Sequence, residues 1–160
     1  MSAKEEFKSW MDSVIAMHRD HVTASVHKWW KYCCVEDFVM SNGKQYPIRP
    51  RPKGVRQMAV KCCFRNAYLT SQRNGWDYCE GYGVTGFFPI LHAWCVDDEG
   101  YVVDTTWRDG TYYFGVIFPT YYIDQVAVSK GTWGVIDNWK GRFPLVSGEH
   151  NYNSLLNEYV

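Results

Sequence analysis

Along the first thirty residues, a set of mostly apolar side chains recurs at the spacing of a helix. Neither proline nor glycine interrupts residues 3–32. The side chains that recur at steps of three and four are Phe7, Trp10, Val14, Ile15, His18, Val22, Val26 and Trp29. This spacing places them on one stripe of an α-helix. The pattern predicts one long helix from Ala3 to about Tyr32, or two with a bend. A short irregular or strand segment is then expected over residues 35–46, with a turn at Asn42-Gly43.

The pattern changes after residue 46. Residues 47–54 contain three prolines and a glycine, so we expect an extended segment there. Residues 63–73 predict a helix ended by Asn74-Gly75, since glycine is favoured just past a helix end. Strands are predicted over residues 76–84, 92–96, 101–107 and 112–118, with a turn at 97–100, and a short helix over 123–128. Helices followed by antiparallel strands indicate an α+β fold, with N-terminal helices and the helix at residue 63 packed on an antiparallel sheet.

Composition favours a single well-filled domain over residues 1–160. The 8 Trp, 12 Tyr and 8 Phe make 28 aromatic residues among 160, whereas disordered chains have few. We divide the domain into a helical part (1–43), a Pro-rich part (44–61), a core (62–118) and an aromatic-rich part (119–160). No apolar run approaches the roughly 18 residues of a membrane-spanning helix, and no export signal is visible. We therefore expect no membrane association and a cytoplasmic location, which is compatible with a bacterial or phage origin.

A basic segment lies hidden within a chain of zero net charge. Lysine and arginine number 17, as do aspartate and glutamate. Residues 44–61 contain no acid and six basic residues, which are Lys44, Arg49, Arg51, Lys53, Arg56 and Lys61. One interpretation is a solvated loop that crosses an acidic surface, and the other is a patch for an anionic partner. We favour the loop, because water easily accommodates six charges in a Pro-rich segment.

The six cysteines do not have the spacing of a zinc knuckle. No CxxC pair occurs, and without an export signal we expect the thiols to be reduced. Most should be small buried apolar residues. We therefore expect no metal and no cofactor.

Three residues form a candidate nucleophile system in the order Cys63, His92, Asp104. Cys63 begins the predicted helix, where the helix dipole and a nearby imidazolium would lower the pKa of its thiol. His92 would move the proton, and Asp104 would orient the ring. The two lie on a predicted hairpin. They are opposite each other if Val96 pairs with Gly100, whereas a two-residue turn would place His92 opposite Thr105.

An oxyanion hole needs hydrogen-bond donors near the thiol. The backbone N–H of Cys63 is one candidate, because first-turn N–H groups have no partner within the helix. The side-chain amide of Gln57 is a second. Asn66 and Glu80 are polar residues near the expected site, and for Asn66 we favour a purely structural hydrogen bond.

Two stretches, CFRNAYLTSQRNGWDYCEGYG and HAWCVDDEGYVVDTTW, resemble the transglutaminase-like branch of the papain-like cysteine enzyme superfamily. The resemblance covers about residues 61–118. It implies a papain-like core, with Cys63 as nucleophile, His92 as general base and acid, and Asp104 as orienting acid. It also adds Trp94 of the His-Ala-Trp motif to the site candidates. Cys62 leaves the nucleophile ambiguous by one position, and we choose Cys63 because Phe64–Ala67 continue the helix as the family pattern requires.

The resemblance implies cysteine-dependent acyl transfer on an amide bond through a thioester. We expect hydrolysis of a protein, peptide, isopeptide or small amide first, and transamidation second. The alternative is a non-catalytic binding protein on the same scaffold. Its basic segment 44–61 and its aromatic residues would then bind nucleic acid or a partner protein.

Overall fold

A computed structural model of the chain describes residues 2–22 and 27–158, which form an α+β fold. The helices of the described residues are α1 (Ala3–Val22), α2 (Val35–Asn42), α3 (Cys63–Asn74), α4 (Thr120–Lys130), α5 (Pro144–Ser147) and α6 (Tyr152–Asn157). The strands are β1 (Lys44–Gln45), β2 (Asp77–Val84), β3 (Pro89–Val96), β4 (Val102–Val103) and β5 (Tyr112–Phe118). The predicted α+β class is confirmed.

Helix α1 begins with a capping box. The Ser2 hydroxyl accepts the backbone N–H of Glu5, and the Glu5 carboxylate accepts the backbone N–H of Ser2. The predicted stripe is buried at Phe7 and Ile15. The prediction of helix as far as residue 32 is wrong in its last part, because residues 27–29 form a turn and Trp29 is exposed. Val26 of the predicted stripe lies outside the described residues.

Helix α2 corrects the irregular or strand segment that we expected over residues 35–46. It buries Phe38 and Val39 against the sheet, and the Asn42 side chain caps its last turn by donating to the Phe38 carbonyl at 2.8 Å. Two adjacent buried residues in only eight do not repeat at helical spacing, so the pattern gave no helix signal. The expected turn at residue 43 becomes the short link to β1, where a Cβ on Gly43 would lie 2.7 Å from the Val39 carbonyl oxygen.

The five strands form one antiparallel sheet in the order β1-β5-β2-β3-β4. The central ladder joins β2 to β3 from Asp77↔Val96 to Val84↔Pro89. The sheet curls on itself, because the chain after β1 also reaches the opposite edge through a bridge between Ile48 and Val102. The extended segment predicted around the prolines makes this connection.

Curling divides the core into two clusters. Tyr46, Trp94, Val102 and Tyr113 pack together inside the curl, in a small cluster with Cys79 and Val96. Each of the six helices contributes at least one residue to a larger cluster on the other face of the sheet. Alternate residues of a strand point to opposite faces, so consecutive residues of β3 serve different clusters. Among the described residues, no helix is long and apolar enough to cross a membrane.

The β3–β4 pairing differs from both predicted registers. Val96 pairs with Val102, and Cys95 pairs with Val103. The loop is longer than expected because the Asp97 carboxylate accepts the backbone N–H groups of Glu99 and Tyr101. The predicted strand 101–107 is reduced to two residues, Val102 and Val103. Asp104 therefore lies outside the strand, and neither Asp104 nor Thr105 pairs with His92 across the sheet.

Candidate active site

Cys63 is the first residue of α3, as its sequence position predicted. Helix α3 packs on β3, where the Cys95 thiol donates to the Ala67 carbonyl at 3.1 Å. Gly75 ends the helix in the left-handed conformation, with φ 69°. Buried residues at one side of α3 therefore fix the helix on the sheet, and this places its N-terminus beside the edge of β3.

The Cys63 thiol lies next to the backbone that carries His92. Strand β4 pairs with β3 only at Cys95 and Val96, so no strand pairs with Ala93 on this side of β3. The backbone N–H groups of Ala93 and Phe64 favour the charged form of the Cys63 thiol. The residue immediately after His92 therefore acts on the pKa of this thiol.

Burial raises the pKa of the Cys63 thiol above its ordinary value. The N–H groups of Ala93 and Phe64 oppose this shift, while the negative charges of Glu80 and Asp104 add to it. The expectation of a lowered pKa is therefore wrong, since burial disfavours a thiolate more than two backbone donors stabilise it. Cys63 at neutral pH is a protonated thiol that needs a base.

His92 and Asp104 form a buried pair. The His92 ring donates from Nε2 to Asp104 Oδ2 at 2.7 Å, and the Tyr113 hydroxyl donates to the same oxygen at 2.8 Å. The other oxygen, Oδ1, accepts the backbone N–H groups of Thr106 at 2.7 Å and Trp107 at 2.9 Å. Burial alone would raise the pKa of Asp104, but the interaction with His92 and the two backbone donors hold that pKa below its ordinary value. Asp104 is therefore an ionised acceptor that fixes the ring, and its hold on residues 106 and 107 explains why β4 stops at Val103.

The second nitrogen of His92, Nδ1, differs from Nε2 in having no partner among the described residues. Because Nε2 donates to a carboxylate, Nδ1 carries the lone pair. Nδ1 is buried, and no described group makes a hydrogen bond to it. The Trp107 ring stacks on the imidazole at 3.6 Å between centroids and 4° between planes. The ring is thus held in one plane and one tautomer, with an unpaired base nitrogen next to the peptide that contacts Cys63.

Gln57 and Asn66 hold the loops around the pair. Gln57 Nε2 donates to the Thr106 carbonyl at 2.6 Å, and its Oε1 accepts from Arg51 at 2.9 Å. Asn66 Nδ2 donates to the Ala59 carbonyl at 2.7 Å and to Thr106 Oγ1 at 2.9 Å. These contacts agree with the structural role favoured for Asn66, and they direct the Gln57 amide to residue 106 and not to the thiol.

Glu80 and Trp94 are buried within the two clusters. Glu80 accepts the Tyr78 hydroxyl at 2.6 Å and the backbone N–H groups of Val135 at 2.7 Å and Ile136 at 3.1 Å. Burial raises its pKa to about 7 even though these donors oppose the shift. Trp94 is fully buried inside the curl, and its Nε1 has no partner among the described residues. Glu80 fastens the C-terminal part to the sheet, and neither side chain reaches a surface where substrate could bind.

A groove of about 400 Å³ opens beside the start of α3. Its walls include Cys62, Phe64, Leu91, Trp133 and Trp139, and its rim carries basic side chains at Lys61 and Arg65. Trp139 is 63% exposed. The two tryptophans come from the C-terminal part, which the sequence marked only as aromatic and glycine-punctuated, so pattern alone could not bring them to Cys62. A larger cavity, of about 490 Å³, lies at the other end of α3 by Gly75, away from the thiol.

The basic segment 44–61 is partly occupied by internal contacts. Arg49 forms ion pairs with Asp97 at 2.6 Å and Glu99 at 2.9 Å, and Arg51 binds Gln57 and the Asp104 carbonyl. The exposed basic side chains of the segment are Lys44, Lys53, Arg56 and Lys61. Arg49 therefore crosses an acidic turn, as the loop interpretation predicted for the segment.

Comparison of the chain with protein-family models, with curated proteins and with solved structures finds no match. The resemblance to transglutaminase-like enzymes therefore depends on the sequence motif, and the contact between His92 and Asp104 is an independent observation beside it.

Proposed function

We propose that this chain is a cysteine-dependent acyl-transfer enzyme with a papain-like, transglutaminase-like core. The observation that carries the proposal is the state of His92. Its Nε2 is fixed by the ionised Asp104, its Nδ1 is buried and unpaired among the described residues, and the backbone N–H of the next residue favours the charged form of the Cys63 thiol. A structural histidine at 0% exposure is expected to use both nitrogens, because an unpaired buried polar atom is costly.

The proposed reaction begins with a protonated thiol. As the Cys63 sulfur attacks the carbonyl carbon of an amide, His92 Nδ1 takes the thiol proton. The tetrahedral intermediate then collapses, the C–N bond breaks, and His92 returns the proton to the leaving amine. A thioester remains on Cys63, and water or a second amine resolves it with the same base. Asp104 stays ionised throughout and stabilises the imidazolium form of His92.

The oxyanion of the intermediate would be bound by backbone donors at the helix start. The N–H of Cys63 itself is a first-turn donor of α3, which no i−4 carbonyl of the helix satisfies. The N–H groups of Phe64 and Ala93 favour the charged form of the thiol. The catalytic thiol therefore sits where positive backbone dipoles converge, although burial keeps it protonated at rest.

The groove at the start of α3, which is lined by Cys62 and Phe64 on either side of Cys63, favours a protein or peptide substrate over a very small amide. It offers flat aromatic surface at Trp133 and Trp139 and positive charge at Lys61 and Arg65. An acyl group flanked by apolar and acidic side chains would fit both features. Hydrolysis remains our first choice and transamidation the second, and a peptide or isopeptide bond is the proposed target.

The test compares Cys63→Ala with Cys62→Ala. The two cysteines are adjacent and both partly exposed, so each variant is the matched control of the other. Each protein is treated near neutral pH with a thiol-reactive probe and with acyl donors of the peptide and small-amide classes, and adducts are located by peptide mass spectrometry. We expect rapid labelling and any thioester to disappear in Cys63→Ala and to persist in Cys62→Ala. Persistence of rapid labelling in both variants would refute the assignment.

The alternative of a non-catalytic binding protein has less support. Two of the six basic side chains of segment 44–61, Arg49 and Arg51, already have partners within the chain. Salt-dependent nucleic-acid binding that survives removal of Cys63, His92 and Asp104 would favour it over the enzyme.

A further inference from the structure

A second cluster of chemically reactive side chains lies between α1 and α2. It contains His18 near the end of α1, and Cys34 and Glu36 at the start of α2. One ligand atom from each of the three lies within 4.8 Å of the other two. None of the three belongs to the proposed catalytic system, and sulfur, nitrogen and carboxylate oxygen together form a donor set typical of zinc.

The histidine of this cluster is oriented as a ligand would be. His18 Nδ1 donates to the Val14 carbonyl at 2.9 Å, so the lone pair lies on Nε2. A metal-bound histidine almost always uses its second nitrogen in this way, because the hydrogen bond fixes the tautomer and the ring. The ring is half-buried, which leaves Nε2 shielded from bulk water on one side.

The carboxylate is also held from outside the cluster. The Tyr82 hydroxyl of β2 donates to Glu36 Oε1 at 2.7 Å. This bond leaves Oε2 free to act as a metal ligand and fixes the direction of the side chain. The hydroxyl therefore has the position of a second group that orients a metal-bound carboxylate.

Two adjacent sulfurs supply the softest part of the cluster. Cys34 is buried, and its sulfur lies 3.7 Å from the sulfur of Cys33. Two thiolates bound to one tetrahedral zinc at about 2.3 Å would be about 3.8 Å apart. The Cys33 sulfur is therefore a candidate for a fourth position.

We propose that His18, Cys34 and Glu36 bind a zinc ion that joins α1 to α2. The ion would fix the second half of α1, where Ile15 is the one buried apolar side chain among the described residues. The absence of a CxxC pair led us to expect no metal, but these ligands come from two helices and the link between them, and only the fold brings them together. The proposal needs neither the activity nor the identity of Cys63.

The experiment measures zinc bound to the full chain. Protein equilibrated with a small excess of ZnCl₂ is passed over a desalting column. The amount of zinc per chain is then measured by inductively coupled plasma mass spectrometry. We expect one zinc per chain in the unaltered protein and a large loss in His18→Ala and Cys34→Ser. The matched controls are His21→Ala, an exposed histidine one turn further along α1, and Cys62→Ala. Both should keep the zinc.

A cobalt spectrum tests the ligands separately from the stoichiometry. Cobalt bound to the unaltered protein should show the visible bands of a tetrahedral site and the near-ultraviolet band of a thiolate ligand, and Cys34→Ser should lose the thiolate band. Glu36→Gln keeps an acceptor for Tyr82 and removes one charged ligand, so we expect zinc affinity to fall about tenfold or more. Circular dichroism shows whether each variant is folded.

Either of two results overturns the proposal. One is an unaltered, folded protein that retains no zinc and shows no tetrahedral cobalt spectrum. The other is zinc retained equally by folded Cys34→Ser, Glu36→Gln and the controls. Cys63→Ala should bind zinc normally, so failure of the metal site and failure of the proposed catalysis are distinguishable.

Discussion

Glu80 makes the free energy of unfolding depend on pH in a window that can be calculated. Its ordinary pKa of 4.5 rises to about 7 in the folded protein, because burial disfavours the charge. The folded protein therefore binds a proton more tightly than the unfolded chain does. Stability from this group is complete below about pH 4.5 and is lost as the pH rises through about 7.

The magnitude follows from the same two values. At about 1.4 kcal/mol per pKa unit, the difference between these two values corresponds to about 3 kcal/mol, most of which is lost between pH 5 and pH 8. The side chain is fully buried, so solvent does not screen this effect. Other groups titrate too, and a variant that differs only at Glu80 isolates its share.

The assay is urea-induced unfolding of the unaltered protein and of Glu80→Gln at several pH values from 5 to 8. Glutamine does not titrate, so the difference in unfolding free energy between the two proteins should change by about 2 to 3 kcal/mol across this range. Because the unaltered protein loses this stability as the pH rises and glutamine does not, the variant should gain stability relative to it between pH 5 and pH 8. Parallel pH profiles for the two proteins would refute the reasoning.

Three further predictions concern the site. Asp104→Asn should reduce acyl transfer about a thousandfold or more, because an amide NH₂ opposite His92 Nε2 would force the ring proton onto Nδ1. Turnover at the wild-type rate by a folded Asp104→Asn variant would contradict this. Gly83→Ala should destabilise the protein by about 1–3 kcal/mol in urea unfolding, since the new Cβ would lie 2.6 Å from a ring carbon of Trp107, which stacks on His92; an unchanged midpoint would contradict this. Trp139→Ala should lower kcat/KM and leave the melting temperature unchanged, because the ring is largely exposed at the groove, and equal kcat/KM would remove it from the substrate site.

The sequence was informative wherever structure is local. Helix α3 begins at Cys63 and is ended by Gly75 as predicted, because apolar spacing and a glycine stop signal act within a few residues. The strands that carry Glu80 and His92 were also predicted, since alternation and aromatic content mark them. The pairing of His92 with Asp104 was predicted from the motif, and the structure brings the two together at 2.7 Å.

The errors come from interactions that no short pattern records. The route to the His92–Asp104 contact was wrong, because Asp97 lengthens the turn and Asp104 bonds forward to its own backbone. Helix α2 was missed because its burial depends on which sheet residues meet Phe38, and not on a repeat within eight residues. The sign of the Cys63 pKa shift was wrong because burial is a property of the folded chain.

The groove and the metal-ligand cluster show the same limit at longer range. Trp139 and Cys62 are far apart in the chain, and so are His18 and Cys34. Trp139 and Cys62 line one groove in a structure where Glu80 holds the C-terminal part on the sheet through Val135. His18 and Cys34 come together because α2 packs beside α1. Composition pointed to an unusual number of aromatic residues, but not to the few that would contact a substrate.

The central claim is that His92 activates Cys63. The most direct measurement is the rate at which a small haloacetamide alkylates Cys63 near neutral pH, followed by peptide mass spectrometry in the Cys62→Ala background with and without His92→Ala. Because burial keeps the Cys63 thiol protonated, its reactivity should depend on the base, and we expect the rate to fall about tenfold or more when His92 is removed from a protein that remains folded. An equal rate of alkylation with and without His92 would contradict the account.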